Sequence, residues 1–265
     1  MKKLFSIVSL CFITALCLIG CDNYNPSATA VTSQDTQIPS ETEIAESSEP
    51  TTISIPLQSK IKMTDEQRAE KVAYITIDDG PSKNTPAILQ VLREKGVKAT
   101  FFVIGRNAER NPEYLKAIAA DGNVIGNHSY SHVYKQIYDS PDTLKDEIVH
   151  TNSIIKSILG EDYSVTLFRF PGGLKQNDPA YVQVVYDLGM DYFAWSVDPQ
   201  DSLGNKSSTD EIVAKFREQL KNQQHPVILL HDANNKDTTI QALGIIIDEL
   251  RAQGYSFDVI QKIDA

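Results

Sequence analysis

From Lys71 onward, seven apolar, β-branched runs alternate with segments of helical pattern, and nothing else in the 265-residue chain constrains its fold so tightly. The runs are VAYITI (72–77), ATFFVI (99–104), NVIGN (123–127), VTLFRF (165–170), YFAWSV (192–197), PVILLH (226–231) and YSFDVI (255–260). Thr85-Pro86, Asn111-Pro112, Ser140-Pro141 and Asp178-Pro179 each set an N-cap residue before a proline suited to the first helical position. Gly96, Gly122, Gly160, Gly189 and Gly254 stand where the helical patterns end, as C′ glycines do. Seven strands with helices between them imply parallel pairing through right-handed crossovers. Two architectures satisfy that: a TIM-like barrel, complete or not, and an open doubly wound sheet. The Gly-rich phosphate loop of a dinucleotide-binding sheet is missing after the first strand, where IDDGPSKN (77–84) stands.

In both architectures functional residues gather at the C-terminal ends of strands. The polar residues that look out of place fall there: Asp78 and Asp79, His128 and His132, Arg169, Asp198 and Asp201, His231 and Asp232. Five strands thus bring acids, bases and a cation to one rim. Two adjacent carboxylates repel unless something positive lies between them. In GNHSYSH (126–132) the two histidines are four residues apart, which puts both imidazoles on one side if the turn is helical. Two imidazoles and one carboxylate make the three-ligand set of a hydrolytic zinc site, and manganese, cobalt or nickel suit the same ligands. One aspartate is then a ligand, the other a free base, and the cation relieves their repulsion.

Lys2 and Lys3, an apolar stretch and Cys21 form a secretory signal over 1–20. LIGC (18–21) resembles a bacterial lipobox, which implies that Cys21 is lipidated and begins the mature chain. The protein is then expected on the outer face of the bacterial cytoplasmic membrane, held by a lipid anchor only. Cys11 and Cys17 lie inside the signal, so the exported domain has no disulfide and relies on its core. Residues 21–65, rich in Ser, Thr, Pro and Glu, read as a disordered tether, and 66–265 as the catalytic domain. The formal charge of −10 and the lack of a basic face argue against nucleic acid as a partner. A monomer is expected.

TIDDG (76–80), HSYSH (128–132), RFPGG (169–173), SVDPQD (196–201) and LLHD (229–232) occur in the order of the five motifs of the polysaccharide deacetylase family, carbohydrate esterase family four. The chain resembles that family over roughly residues 71–262. The resemblance implies an irregular (β/α) barrel of about seven parallel strands, a distorted TIM-like α/β fold. It implies a divalent metal, zinc foremost, and removal of acetyl groups from N-acetylated glycan such as peptidoglycan or chitin. By the same resemblance Asp78 is the general base, and Asp79, His128 and His132 are the metal ligands. Ser129 supports the ligand loop and Arg169 orients Asp78. His231 is the general acid with Asp201 as its partner, Asp198 being the alternative. Leu229 lines the acetyl pocket, and Pro171 and Gly172 border the substrate, the Gly172 N–H facing the oxyanion. Asp232 hydrogen-bonds locally.

Two departures stand out. Gly172 replaces a common tyrosine and Ser202 a common tryptophan, so two aromatic walls of the groove are expected to be lost. Trp195 reads as core. A metal-dependent amidase or peptidase, and a non-catalytic glycan-binding wall lipoprotein, are the other functions compatible with these residues.

Overall fold

The structure, a computed structural model, describes residues 60–173, 175–202, 207–234 and 236–262. Cys21 and nearly all of the expected tether lie outside the described residues. β1 (Val72–Asp78), β2 (Thr100–Val103), β3 (Val124–Asn127), β4 (Leu167–Phe168), β5 (Asp191–Tyr192), β6 (Val227–His231) and β7 (Ser256–Asp258) all pair in parallel. The sheet runs β5-β4-β3-β2-β1-β6, with β7 alongside the first half of β1. The chain beyond β5 returns to β6: Val197 bridges Ile228, and the Leu229 N–H donates to the Val197 carbonyl at 2.9 Å. That contact turns the sheet back on itself. The result is the irregular (β/α) barrel, not the open doubly wound sheet.

Every crossover carries at least one helix: α2 (Thr85–Lys95), α3 (Gly105–Arg110) with α4 (Pro112–Ala120), α5 (Tyr134–Ile137) with α6 (Pro141–Leu159), α7 (Pro179–Asp187), α8 (Thr209–Leu220) and α9 (Asp237–Ala252). Because strand side chains alternate, β1 serves two cores. Ala73, Ile75 and Ile77 pack with the helices, while Val72 and Tyr74 join Phe102, Leu167, Phe193, Val227 and Ile260 in a second cluster. Thr76 and Asp78 share the face of Tyr74, so the barrel interior becomes polar towards its C-terminal mouth.

Several local expectations are corrected. Thr85 lies inside α2, and Asn84 is its N-cap. The Thr85 hydroxyl is engaged instead by the Ser82 N–H and the Asp232 carboxylate. Asn111 caps α4 by position only, since its amide donates to the carbonyls of Pro81 and Asn107. Ser140 and Asp178 cap as expected from their hydroxyl and carboxylate. The run 192–197 yields a strand that ends at Tyr192, because the Phe193 and Ala194 carbonyls turn to the Arg169 guanidinium rather than to a ladder. The folded part also starts before residue 66. α1 (Asp65–Ala69) opens with a Thr64–Gln67 capping box, Ile61 and Met63 pack against the interior cluster, and the Lys62 N–H donates to the Gln261 carbonyl.

Candidate active site

The barrel mouth assembles its residues from the ends of β1, β3, β4 and β6 and from the segment that follows β5. Asp78 closes β1 with its side chain buried inward, and Arg169 follows β4. The two meet at 2.9 Å, Arg169 Nη1 donating to Asp78 Oδ1. Arg169 is 1 % exposed, so its charge needs every partner it has. Nε donates to the Phe193 carbonyl, Nη2 to the Ala194 carbonyl and Nη1 also to the Thr76 hydroxyl at 2.7 Å, while the guanidinium lies 4.2 Å from the Phe102 ring centre. The guanidinium is thus fixed by bonds on each of its nitrogens, and Asp78 is held with it. Thr76 escaped the sequence reading. Its one signal was a polar residue in the middle of an apolar strand.

Asp79, His128 and His132 converge: each offers one ligand atom, all within 4.8 Å of one another. Asp79 Oδ1 lies 3.7 Å from His128 Nε2 and 3.4 Å from His132 Nε2, and this buried oxygen has no hydrogen-bond partner. An orphaned, buried carboxylate oxygen facing two imidazole nitrogens fits a divalent cation. The tautomers agree. His128 Nδ1 sits 2.8 Å from the Arg169 carbonyl, which can only accept, so Nδ1 carries the hydrogen and Nε2 keeps its lone pair. Burial and neighbouring His128 push the His132 imidazole below its ordinary value, towards the neutral form that ligates.

The histidine loop is not helical. Ser129 and His132 hold φ of 67° and 55°, and Asp79 holds 75°. Left-handed backbone at a non-glycine residue costs about 1–3 kcal/mol and persists only where its surroundings enforce it. Here they do. Asn127 Oδ1 accepts from the Ser129 N–H and Ser129 Oγ from the His132 N–H. Glu147, a buried carboxylate of α6, accepts from the N–H groups of Tyr130 and Ser131 at 2.8 and 2.7 Å. In the sequence Glu147 carries no signal, being an ordinary glutamate in a helix.

His231 ends β6, and its Nδ1 donates to Asp201 Oδ1 at 2.7 Å, while its backbone N–H donates to Asp201 Oδ2. Asp201 is 1 % exposed and also accepts from the Thr239 hydroxyl. Burial pushes the His231 imidazole down, but the Asp201 hydrogen bond and charge, helped by Asp79 and Asp78, outweigh it and carry the group up to about 9. Asp198 is elsewhere, accepting from the Gln200 N–H in its own turn. Leu229 is buried two residues before His231, on the same face of β6. Pro171 to Gly173 form a 3-10 turn two positions after Arg169, with Gly172 exposed. Asp232 is engaged by the Ser82 and Thr85 hydroxyls, which donate to its carboxylate. A cleft of about 370 Å³ opens on Asp79 and passes Ser82, Asn107 and Tyr114.

A carboxylate locked by arginine, an Asp–His–His set and a charged imidazole thus face one mouth. The sequence profile of the family described as polysaccharide deacetylase matches residues 65–193. A peptidoglycan-N-acetylglucosamine deacetylase of Bacillus cereus is 33 % identical over 73 % of this chain and 88 % of its own. A chitooligosaccharide deacetylase of Azorhizobium caulinodans is 32 % identical over 69 % of this chain and 90 % of its own. The solved structure of a Streptococcus mutans carbohydrate esterase of family four superposes with a TM-score of 0.68 and 27 % identity, over 74 % of this chain and 88 % of that one. Profile, relatives, barrel and mouth agree: this chain belongs to the polysaccharide deacetylase family.

Proposed function

We propose that the protein is a metal-dependent hydrolase that removes acetyl groups from an N-acetylated glycan, peptidoglycan or a chitin-like polymer, outside the cytoplasmic membrane. The observation that carries this reading is that each of two proton carriers is held by its own buried partner at the barrel mouth: Asp78 by Arg169, and His231 by Asp201.

Asp79, His128 and His132 would hold a divalent ion, zinc by their ligand types, which would supply Lewis-acid polarisation and lower the pKa of water towards neutrality. Asp78 takes the proton of the attacking water; its Oδ2 is 3.6 Å from His128 Nε2 and so borders the ligand set. Arg169 keeps that carboxylate in place throughout. The Gly172 N–H is the backbone donor assigned to the developing oxyanion. His231 then delivers the Nε2 proton to the departing nitrogen, since an amine cannot leave as an anion, and Asp201 keeps the imidazole charged until it does. Leu229, below His231, offers an apolar seat for the acetyl methyl group.

The test is acetate release from peptidoglycan, chitin oligomers and acetylated xylan, each with zinc, manganese, cobalt and nickel. Release from the N-acetylated polymers with one metal above the rest is expected. Amine release from peptides without acetate release would replace this reading by an amidase. Metal binding without any turnover would replace it by a glycan-binding lipoprotein.

The cellular address is part of the proposal and rests on LIGC and the Ser/Thr/Pro-rich segment after it. Cys21→Ala is expected to move the protein from the membrane to the soluble exported fraction with its activity unchanged. Fatty-acid label incorporated equally into the variant would exclude the anchor.

A further inference from the structure

The turn after Pro171 is flanked by two aromatic rings. A Cβ on Gly172 would lie 2.8 Å from the Tyr134 hydroxyl oxygen and 2.9 Å from the ring carbon that bears it. A Cβ on Gly173 would lie 3.0 Å from the ring of Trp195. Both glycines hold a left-handed φ, 64° and 65°. A side chain at either position would therefore be strained and would also displace a ring. Neither ring comes from this turn: Tyr134 opens α5, and Trp195 follows β5.

Tyr134 is 44 % exposed, which places it among the few large apolar side chains left open to solvent in the described residues. Its ring centre is 5.3 Å from that of His132, at the edge of the ligand set. A ring this exposed adds little to the core, yet it is braced. Tyr138 stands 6.5 Å behind it and donates its hydroxyl to the Pro171 carbonyl at 2.8 Å. Tyr181 packs edge-on against Tyr138 and donates to its carbonyl. Trp195 is half-buried against the barrel interior and 5.8 Å from the Arg169 guanidinium, so it supports the turn from the inner side.

We propose that Tyr134 is a sugar-stacking wall of the substrate groove, seated over Gly172 beside the ligand set. The inference rests on the glycan-deacetylase reading and names the residue that holds the sugar ring. A pyranose presents flat C–H faces that pack on an aromatic face. The ring stands where a side chain at 172 would otherwise project, so the wall expected to be lost there is supplied from α5. Gly172 is the space it requires.

Zinc-loaded full-length chain, Tyr134 variants alongside, is assayed on the N-acetylglucosamine pentamer and on 4-nitrophenyl acetate, and pentamer binding is measured by titration calorimetry. On the scale of one aromatic packing contact, Tyr134→Ala is expected to raise KM and Kd for the pentamer about five- to tenfold, with kcat and the ester rate changed less than about twofold. Tyr134→Phe keeps the flat face and is expected to match wild type, whereas Tyr134→Leu is not. An unchanged pentamer Kd in Tyr134→Ala, or equal losses on both substrates, would overturn the assignment, as would a wild-type chain that does not bind the pentamer. Pentamer binding without acetate release would remove the deacetylase reading alone, and the Kd comparison would still decide the role of Tyr134.

Discussion

Asp78→Asn is expected to abolish turnover while metal stays bound, and Asp79→Asn to lose both. The two carboxylates are neighbours in sequence, but their surroundings divide the work. Asp78 is tied to Arg169, whereas Asp79 Oδ1 has no protein hydrogen-bond partner and faces both histidine Nε2 atoms. Loss of a general base costs about 10²–10⁴ in rate. Asparagine is the right replacement because its amide oxygen still accepts from Arg169. Removing the side chain altogether would strand a buried guanidinium, at about 3–5 kcal/mol. At Asp79 the amide oxygen is a poorer ligand, and loss of a direct ligand should exceed the ~10–100-fold cost in affinity of losing an outer partner. Metal content by plasma emission, read beside acetate release, separates the cases. Normal metal in both variants, or a site emptied by Asp78→Asn alone, would reverse the assignment.

His231→Ala should cost most of the rate on an N-acetyl sugar, about 10²–10⁴-fold, and far less on an activated ester. The difference arises because a phenolate leaves without a proton and an amine does not. Equal losses on the two substrates would show that His231 positions and does not protonate. The pH profile gives a second reading. The acid must be protonated, so activity is retained below its pKa and falls as pH rises through it, near 9 for His231 as it stands. A cation held by Asp79 would oppose part of the negative charge that raises the group, so the metal-loaded limb is expected below that value. Asp201→Asn removes the main raising influence and should move the alkaline limb down further. The sign for stability is the same. With an ordinary value of 6.5 and a folded value of about 9, the charged His231 favours the fold fully below 6.5, and that contribution is lost between 6.5 and 9. An Asp201→Asn profile that overlays wild type would mean that another group sets the limb.

Much of this site was legible from one-dimensional order. Alternating apolar runs with N-cap, proline and C′ glycine punctuation specify parallel strands with helical crossovers, because those signals act within a few residues and need no partner. The same order puts Asp78, His128, Arg169, Asp201 and His231 at or just after strand ends, and parallel pairing then brings all of those ends to one rim. What the tertiary structure alone decided concerns residues whose role depends on a distant neighbour. The barrel closes through the Val197–Ile228 bridge, which no local pattern announces. Asp201 and not Asp198 reaches His231, although both sit in the same polar turn. The histidines meet through left-handed backbone in a loop pinned by Glu147 of α6, not through a helical turn. Tyr134 stands over Gly172 from 38 positions earlier in the chain. Strand ends are set by local propensity and periodicity. Which side chains share a buried hydrogen bond or a few ångströms of rim is set by packing across loops, and that information exists only once the chain has closed.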